Sequence, residues 1–284
     1  MPSAQNFSSP DDLRREPWAA HARQWGRLGP PLRPCPEDLQ RLADTWRNSL
    51  GGSLPARRLE ILLLGVTPEI AVHSWADDFF LTAIDATEVM LRAVWPGDGP
   101  RRRAFQADWL RMPFPPATFD LVLSDCGLAP LSGPGQLEAL GRELRRVLRA
   151  DGRVVMRHFA RPANPEPVET VIQAVATGLV ANFHELKLRL LMALPADPAG
   201  VCLGAAWQRF QDLFPDRKKL AKQLGCPLET IGTIDAYQGR DARYVFPPLL
   251  ELVEVFTGLT LTRGVPGTYP LAPVSPVFAL TPKP

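Results

Sequence analysis

The chain has 284 residues, 45% of them apolar and 22% charged, which excludes a disordered, collagen-like or coiled-coil protein. A chain of this length can bury a full core without disulfide or metal staples. Thirty-two Lys and Arg stand against thirty Asp and Glu, a net charge of +2 that requires no polyanionic partner.

Met1 to Glu16 carries no apolar h-region, so no secretory signal is expected. Trp18, His21 and Trp25 then recur at helical spacing before a proline-rich turn with Pro30, Pro31, Pro34 and Pro36. This stretch reads as a core-packing stripe or as an N-terminal helical lid, residues 1–50. Leu59–Leu64 is a near-continuous apolar run, as expected for a strand buried on both faces. Thr67, Pro68 and Glu69 supply an N-cap, a proline at the first helical position and an acid in the first turn, predicting a helix to about Ala76. Strands follow at Leu81–Asp85, Arg103–Ala107 and Phe119–Ser124, with a helix over Glu88–Val94. Gly135–Leu148 has helical periodicity and ends at Asp151-Gly152, read as a stop and turn before a fifth strand at Arg153–Phe159. Alternation of this kind predicts a doubly wound, mostly parallel sheet with right-handed crossovers, ligands binding at the carboxyl ends of its strands.

From Val168 the pattern becomes helical. Val168, Val171, Ile172, Val175, Leu179, Phe183 and Leu186 share one face of an expected helix to Leu194, and His184 sits on the opposite face, toward a pocket. Trp207–Phe214, Arg217–Leu224, Leu228–Ala236 and Pro248–Phe256 also read as helices, and Leu259–Arg263 and Pro276–Thr281 as two last strands. The expected organisation is an α/β core (51–160), a helical insertion or cap (161–247), and a last helix and strands completing the sheet (248–284).

Three positions at strand ends line up. Gly65 closes the first strand, Asp85 the second, and Asp108-Trp109 follows the third. Asp85 lies 20 residues beyond Gly65, the separation at which a carboxylate reaches paired ribose hydroxyls. Asp108 can accept from an exocyclic adenine amine, and Trp109 can stack on the ring. In the phrases ILLLG, LTAIDAT, FQADWLRMPFPPATFDLVLSDC and ELRRVLRADGRVVMRHF, spanning Leu59 to Phe159, the chain resembles the class I S-adenosylmethionine-dependent methyltransferases. The resemblance implies a seven-stranded sheet with the last strand antiparallel, S-adenosylmethionine as cofactor, Gly65 under its methionine moiety, Asp85 at the ribose, Asp108 with Trp109 at the adenine, and Ser124-Asp125-Cys126 facing the methyl group. Val66, Thr67 and Ala86 belong to the same cofactor-facing loops. The loop Gly65-Val66-Thr67-Pro68-Glu69 departs from the family's G-x-G-x-G: Thr67 offers a hydroxyl instead of a glycine, and Glu69 either reaches the cofactor's amino group or simply favours the helix dipole.

The expected function is methyl transfer to an oxygen or nitrogen of a small molecule in the cytoplasm, with His184, Asp125 and Tyr237 as candidate catalytic groups and Trp25, Cys126, His184, Tyr237 and Tyr244 as candidate substrate contacts. A catalytically silent binding or scaffold protein is the alternative. A nicotinamide-dependent oxidoreductase would lack its G-x-G-x-x-G. Cys35, Cys126, Cys202 and Cys226 form no C-x-x-C pair and have no nearby His, so neither a zinc site nor a disulfide framework is expected. Leu220–Ile231 has helix-turn-helix spacing, but its second helix carries Glu229 and Asp235, which repel phosphate, so no nucleic-acid partner is expected. Ala174–Leu194 is interrupted by Glu185, Lys187 and Arg189, so no membrane span is expected either.

Overall fold

The run Leu59–Leu64 forms β1, an interior strand of a seven-stranded sheet, and every residue but Glu60 is buried. The computed structural model describes residues 18–52, 56–133, 135–197 and 199–283. Residues 1–17, where the signal reading and the start of the expected lid fall, lie outside the described residues. Before β1 come α1 (Trp18–Arg23) and α2 (Pro36–Ser49). After it the chain alternates through α3 (Pro68–Val72), β2 (Phe79–Asp85), α4 (Glu88–Ala93), β3 (Arg102–Gln106), β4 (Phe119–Asp125), α5 (Gln136–Val147) and β5 (Leu148–Arg157). Strands β1 to β5 pair in parallel. Near the C-terminus, α11 (Leu249–Val255) leads to β8 (Leu259–Arg263) and β9 (Val277–Pro282), and β9 runs antiparallel between β5 and β8. The order β3-β2-β1-β4-β5-β9-β8 reverses between β1 and β4, the topological switch point where ligands enter open α/β sheets.

Helix α2 covers one sheet face, where Leu42, Ala43 and Trp46 join Ile61, Leu63, Leu81, Val155 and Ala279 in one apolar cluster. Its start is built for that: Pro36 occupies the first turn and Asp38 accepts from the Cys35 N–H at 3.1 Å. On the other face Leu140, Leu144 and Val147 of α5 pack with Leu252 and Phe256.

The insertion comprises α6 (Val168–Ala176), α7 (Phe183–Ala193), α8 (Leu203–Leu213), α9 (Arg217–Gln223), α10 (Leu228–Ile231) and a 3-10 turn over Gly232–Tyr237. It has its own apolar core, in which Phe183, Leu186, Phe210 and Ile231 are fully buried. A two-stranded ribbon, β6 (Val201–Cys202) with β7 (Arg243–Tyr244), was not foreseen.

Three expected elements are corrected. The helix after Thr67 stops at Val72, because the Trp75 indole takes the Ile70 carbonyl at 3.0 Å and closes the turn; Thr67 itself makes no side-chain capping bond. Asp151-Gly152 is no turn: β5 runs straight through it, and a register shift between Phe119 and Leu121 of β4 absorbs the irregularity. The single helix expected over Val168–Leu194 is two. Gly178, at φ +72°, ends the first, and Asn182 starts the second by accepting the His184 and Glu185 N–H groups. The break puts Leu179 on the surface, 73% exposed, while Phe183 is completely buried. Phe183→Ala should therefore cost about 3–5 kcal/mol in chemical denaturation, and Leu179→Ala close to nothing.

Candidate functional site

A cavity lies over the carboxyl ends of β1, β2 and β4 and continues beneath the N-terminal segment and the insertion. The sheet contributes Gly65, Val66, Thr67, Asp85, Ala86, Trp109, Asp125 and Cys126. Trp18, His21 and Trp25 come down from the N-terminal segment; Lys187, Leu188 and Leu191 from α7; Tyr237 and Tyr244 from the end of the insertion. Residues from four separate stretches of chain thus meet in one space.

Gly65 turns the chain out of β1 with φ +95°, a conformation that L side chains rarely adopt, while its N–H stays in the sheet, donating to Ile84 at 2.8 Å. Asp85 is buried at the end of β2, and its Oδ1 accepts from the Thr87 N–H at 2.8 Å and hydroxyl at 2.7 Å, which fixes the carboxylate's orientation. The Trp109 indole donates to the Ile84 carbonyl at 2.9 Å, and its ring lies along Gly65 and Gly127. A Cβ on Gly127 would stand 3.2 Å from that ring and 2.6 Å from Ser124 Oγ, so only glycine permits this approach. The Ser124 hydroxyl is buried there without a hydrogen-bond partner.

Asp125 and Cys126 end β4. Cys126 adopts φ +54°, strained for a residue with a side chain, and its N–H donates to the Arg157 carbonyl at 2.8 Å. Burial pushes its thiol well above the ordinary range. The Asp125 carboxylate is gripped by Arg157, Nε to Oδ1 at 2.5 Å and a terminal nitrogen to Oδ2 at 3.0 Å, and Arg157 also reaches Asp38 at 3.1 Å. Burial works against the Arg157 charge, but these carboxylates more than offset it and hold the guanidinium protonated.

Other expected site residues stand elsewhere. Glu69 is tied to Arg33 at 2.5 Å. Asp108 caps the following turn, accepting the Leu110 N–H at 3.0 Å, and is not among the residues lining the cavity. His184 does not line it either: it is buried against Gly29 and donates Nε2–H to the Arg27 carbonyl at 2.9 Å, pinning the N-terminal segment to α7.

Arg157 is not among the expected site residues, and Lys187 is read in the sequence only as a charge interrupting an apolar stretch. Lys187 is 1% exposed, its Nζ has no hydrogen-bond partner, and it sits 5.3 Å from the centre of the Tyr237 ring. Burial lowers its pKa from the usual lysine value to about 7. His21 packs edge-on to Tyr237 and lies 3.3 Å from the Tyr244 hydroxyl. Among the described residues, no group of three or more His, Cys, Asp and Glu could hold a metal ion, and no helix is long and apolar enough to cross a membrane.

Residues 62–156 match the family described as Methyltransferase domain. Comparison with curated proteins finds no match. A Rhodobacter sphaeroides protein solved under the name of a Zn-dependent alcohol dehydrogenase is 15% identical, covering 96% of this chain and 98% of its own, with a TM-score of 0.57, a likeness of fold alone. The Haloferax volcanii complex of the Trm112 methyltransferase activator with a methyltransferase matches at 13% identity, 98% of each chain and a TM-score of 0.47. The DhpI–SAH complex matches at 16% identity, 98% of this chain, 100% of that one and a TM-score of 0.49.

Two outcomes are expected of the site's framework. Arg157→Met leaves Asp125 buried without its cation and should cost about 3–5 kcal/mol of stability, read by urea unfolding. His158, His184 and His21 are held neutral, burial lowering the first two to about 4 and His21 to about 3. Unfolded, each titrates near 6.5, so their stabilisation is complete above that pH and is lost as pH falls toward 4. The slope should approach about 1.4 kcal/mol per pH unit for each histidine, and His158→Gln should remove one proton's share of it.

Proposed function

Residues 62–156 match a methyltransferase domain, and from that premise we propose that the protein is a class I, S-adenosylmethionine-dependent methyltransferase that transfers a methyl group to an oxygen or nitrogen of a small, largely apolar molecule. The observation that carries this reading is the continuity of the cavity. The strand-end residues Gly65, Asp85 and Asp125 share one space with Leu188, Leu191 and Phe246, roofed by the N-terminal segment and the insertion.

The residues present fit the cofactor. Gly65 leaves the turn after β1 open, since even an added Cβ would meet nothing nearer than the Trp109 ring at 3.8 Å. Asp85, oriented by Thr87, accepts the ribose hydroxyls in this reading. Trp25 lines the cavity with a buried, unpartnered indole N–H, a donor suited to the methionine carboxylate. Trp109 forms the floor beneath. When bound, the cofactor supplies a methyl group already activated on a sulfonium sulfur. The chain's own work is then to exclude water and to hold the acceptor in line. Cys126, at the β4 end, faces that transfer region in this reading, whereas the expected Ser124 is buried and is not among the residues lining the cavity.

The silent-scaffold reading has two observations in its favour: Glu69 is committed to Arg33, and the loop keeps a single glycine. Calorimetry with S-adenosylhomocysteine separates the two. We expect saturable one-to-one binding, and its absence in folded protein would favour the scaffold. Asp85→Ala should weaken that binding by about 1.5–3 kcal/mol, the scale for losing a charged hydrogen-bond partner. An unchanged dissociation constant in the folded variant would remove Asp85 from the ribose. Trp109→Ala, which deletes a buried ring as well as a cavity wall, should lower stability by about 3–5 kcal/mol in addition to any loss of affinity.

A further inference from the structure

Lys187 sits where a lysine is costly. It is 1% exposed, projects from α7 into the cavity, and its Nζ has no hydrogen-bond partner. A buried amine without a counter-ion is unfavourable for folding alone, and such groups concentrate where a ligand completes them. Its surroundings sharpen the point. The Tyr237 ring is 5.3 Å away, and the lining of the same cavity includes Leu188, Leu191, Phe159 and Phe246. Asp125, the acid of the β4 end, is already neutralised by Arg157. Among the described residues no carboxylate pairs with Lys187.

We propose that Lys187 anchors an acidic oxygen group, a carboxylate or phenolate, on an otherwise apolar, ring-sized acceptor. This rests on the methyltransferase reading for the word acceptor, but the anion site itself rests on Lys187 and the cavity. An anion supplies the countercharge that Lys187 lacks, and the Tyr237 ring, Leu188 and Leu191 in the same cavity lining favour a flat apolar body. The other titratable groups facing Lys187 do not change charge between pH 5 and 9. His21 and His184 are held neutral by burial and by Lys187 itself, and burial keeps the Tyr237 and Tyr244 hydroxyls protonated. Lys187, at about 7, is thus the group whose charge turns anion binding on below neutrality and off above it.

The test uses two probes with one ring system, 2-naphthoate and the neutral 2-naphthalenemethanol, titrated into the full chain at pH 6 to 9, with S-adenosylhomocysteine affinity measured in parallel. Wild type should prefer naphthoate by tenfold or more at pH 6, and the preference should fall as pH rises through about 7. Lys187→Met should erase the preference while leaving the binding of the alcohol and of S-adenosylhomocysteine within twofold. Lys187→Arg should keep the preference and lose its pH dependence. Equal binding of the two probes, or no naphthoate binding at millimolar concentration, overturns the proposal. So does a tenfold loss of S-adenosylhomocysteine affinity in Lys187→Met, which would give the lysine to the cofactor's own carboxylate. If wild type binds naphthoate as described but not S-adenosylhomocysteine, the methyltransferase reading fails and the anion site stands.

Discussion

The buried chain of charges Asp125–Arg157–Asp38 holds the molecule together at the place where its site begins. Arg157, fully buried at the end of β5, joins the end of β4 to the start of α2. Asp38 passes the connection on, accepting from Arg41 at 3.0 Å and from the Tyr269 hydroxyl at 2.7 Å. Arg41 in turn binds the carbonyls of Val265 and Ser275 in the loop between β8 and β9. Every charge in this chain has a partner of opposite sign, the condition under which buried ions are tolerated. Its geometric effect is to set the height of the β4 end, and with it the strained turn at Cys126 that opens into the cavity.

The second constraint is the closing of the cavity from above. The N-terminal segment packs Trp18, Ala22 and Trp25 with Val66, Met90 and Val94, and polar bonds tie it to the insertion and to the β1 loop. Gln24 donates to the Thr233 carbonyl at 2.8 Å, His184 to the Arg27 carbonyl at 2.9 Å, and Arg33 holds Glu69 beside the β1 loop. Roof and lid therefore depend on each other, and both depend on residues far apart in the chain. Such an arrangement encloses an apolar space while leaving Lys187 and the Trp25 indole N–H directed into it with no protein partner.

Much of the fold was legible because its signals are local. Leu59–Leu64 is a buried strand by composition alone, and the other strands of the α/β core were found to within a few residues. The β5 start was missed because Asp151-Gly152 has turn chemistry that pairing with β4 overrode. The helix over Val168–Leu194 was read too long because an apolar period continued across Gly178, whose backbone freedom broke it. The same error placed His184 at the pocket, although α7 starts afresh at Asn182 and turns that side chain under the N-terminal segment.

By itself the sequence determined the α/β alternation, the two last strands, and which acids and glycines stand at strand ends, since each follows from a period or a spacing within a few dozen residues. Only the tertiary structure decided which charges are neutralised and which are left waiting. Arg157 and Lys187 are both basic residues in apolar stretches of sequence, and nothing local distinguishes them. One finds Asp125 and Asp38 across 32 and 119 residues of chain, and the other meets an aromatic ring 50 residues further on and no anion. Whether a buried charge is structural or left for a ligand depends on what the fold brings within about 4 Å of it, and no sequence period records that distance.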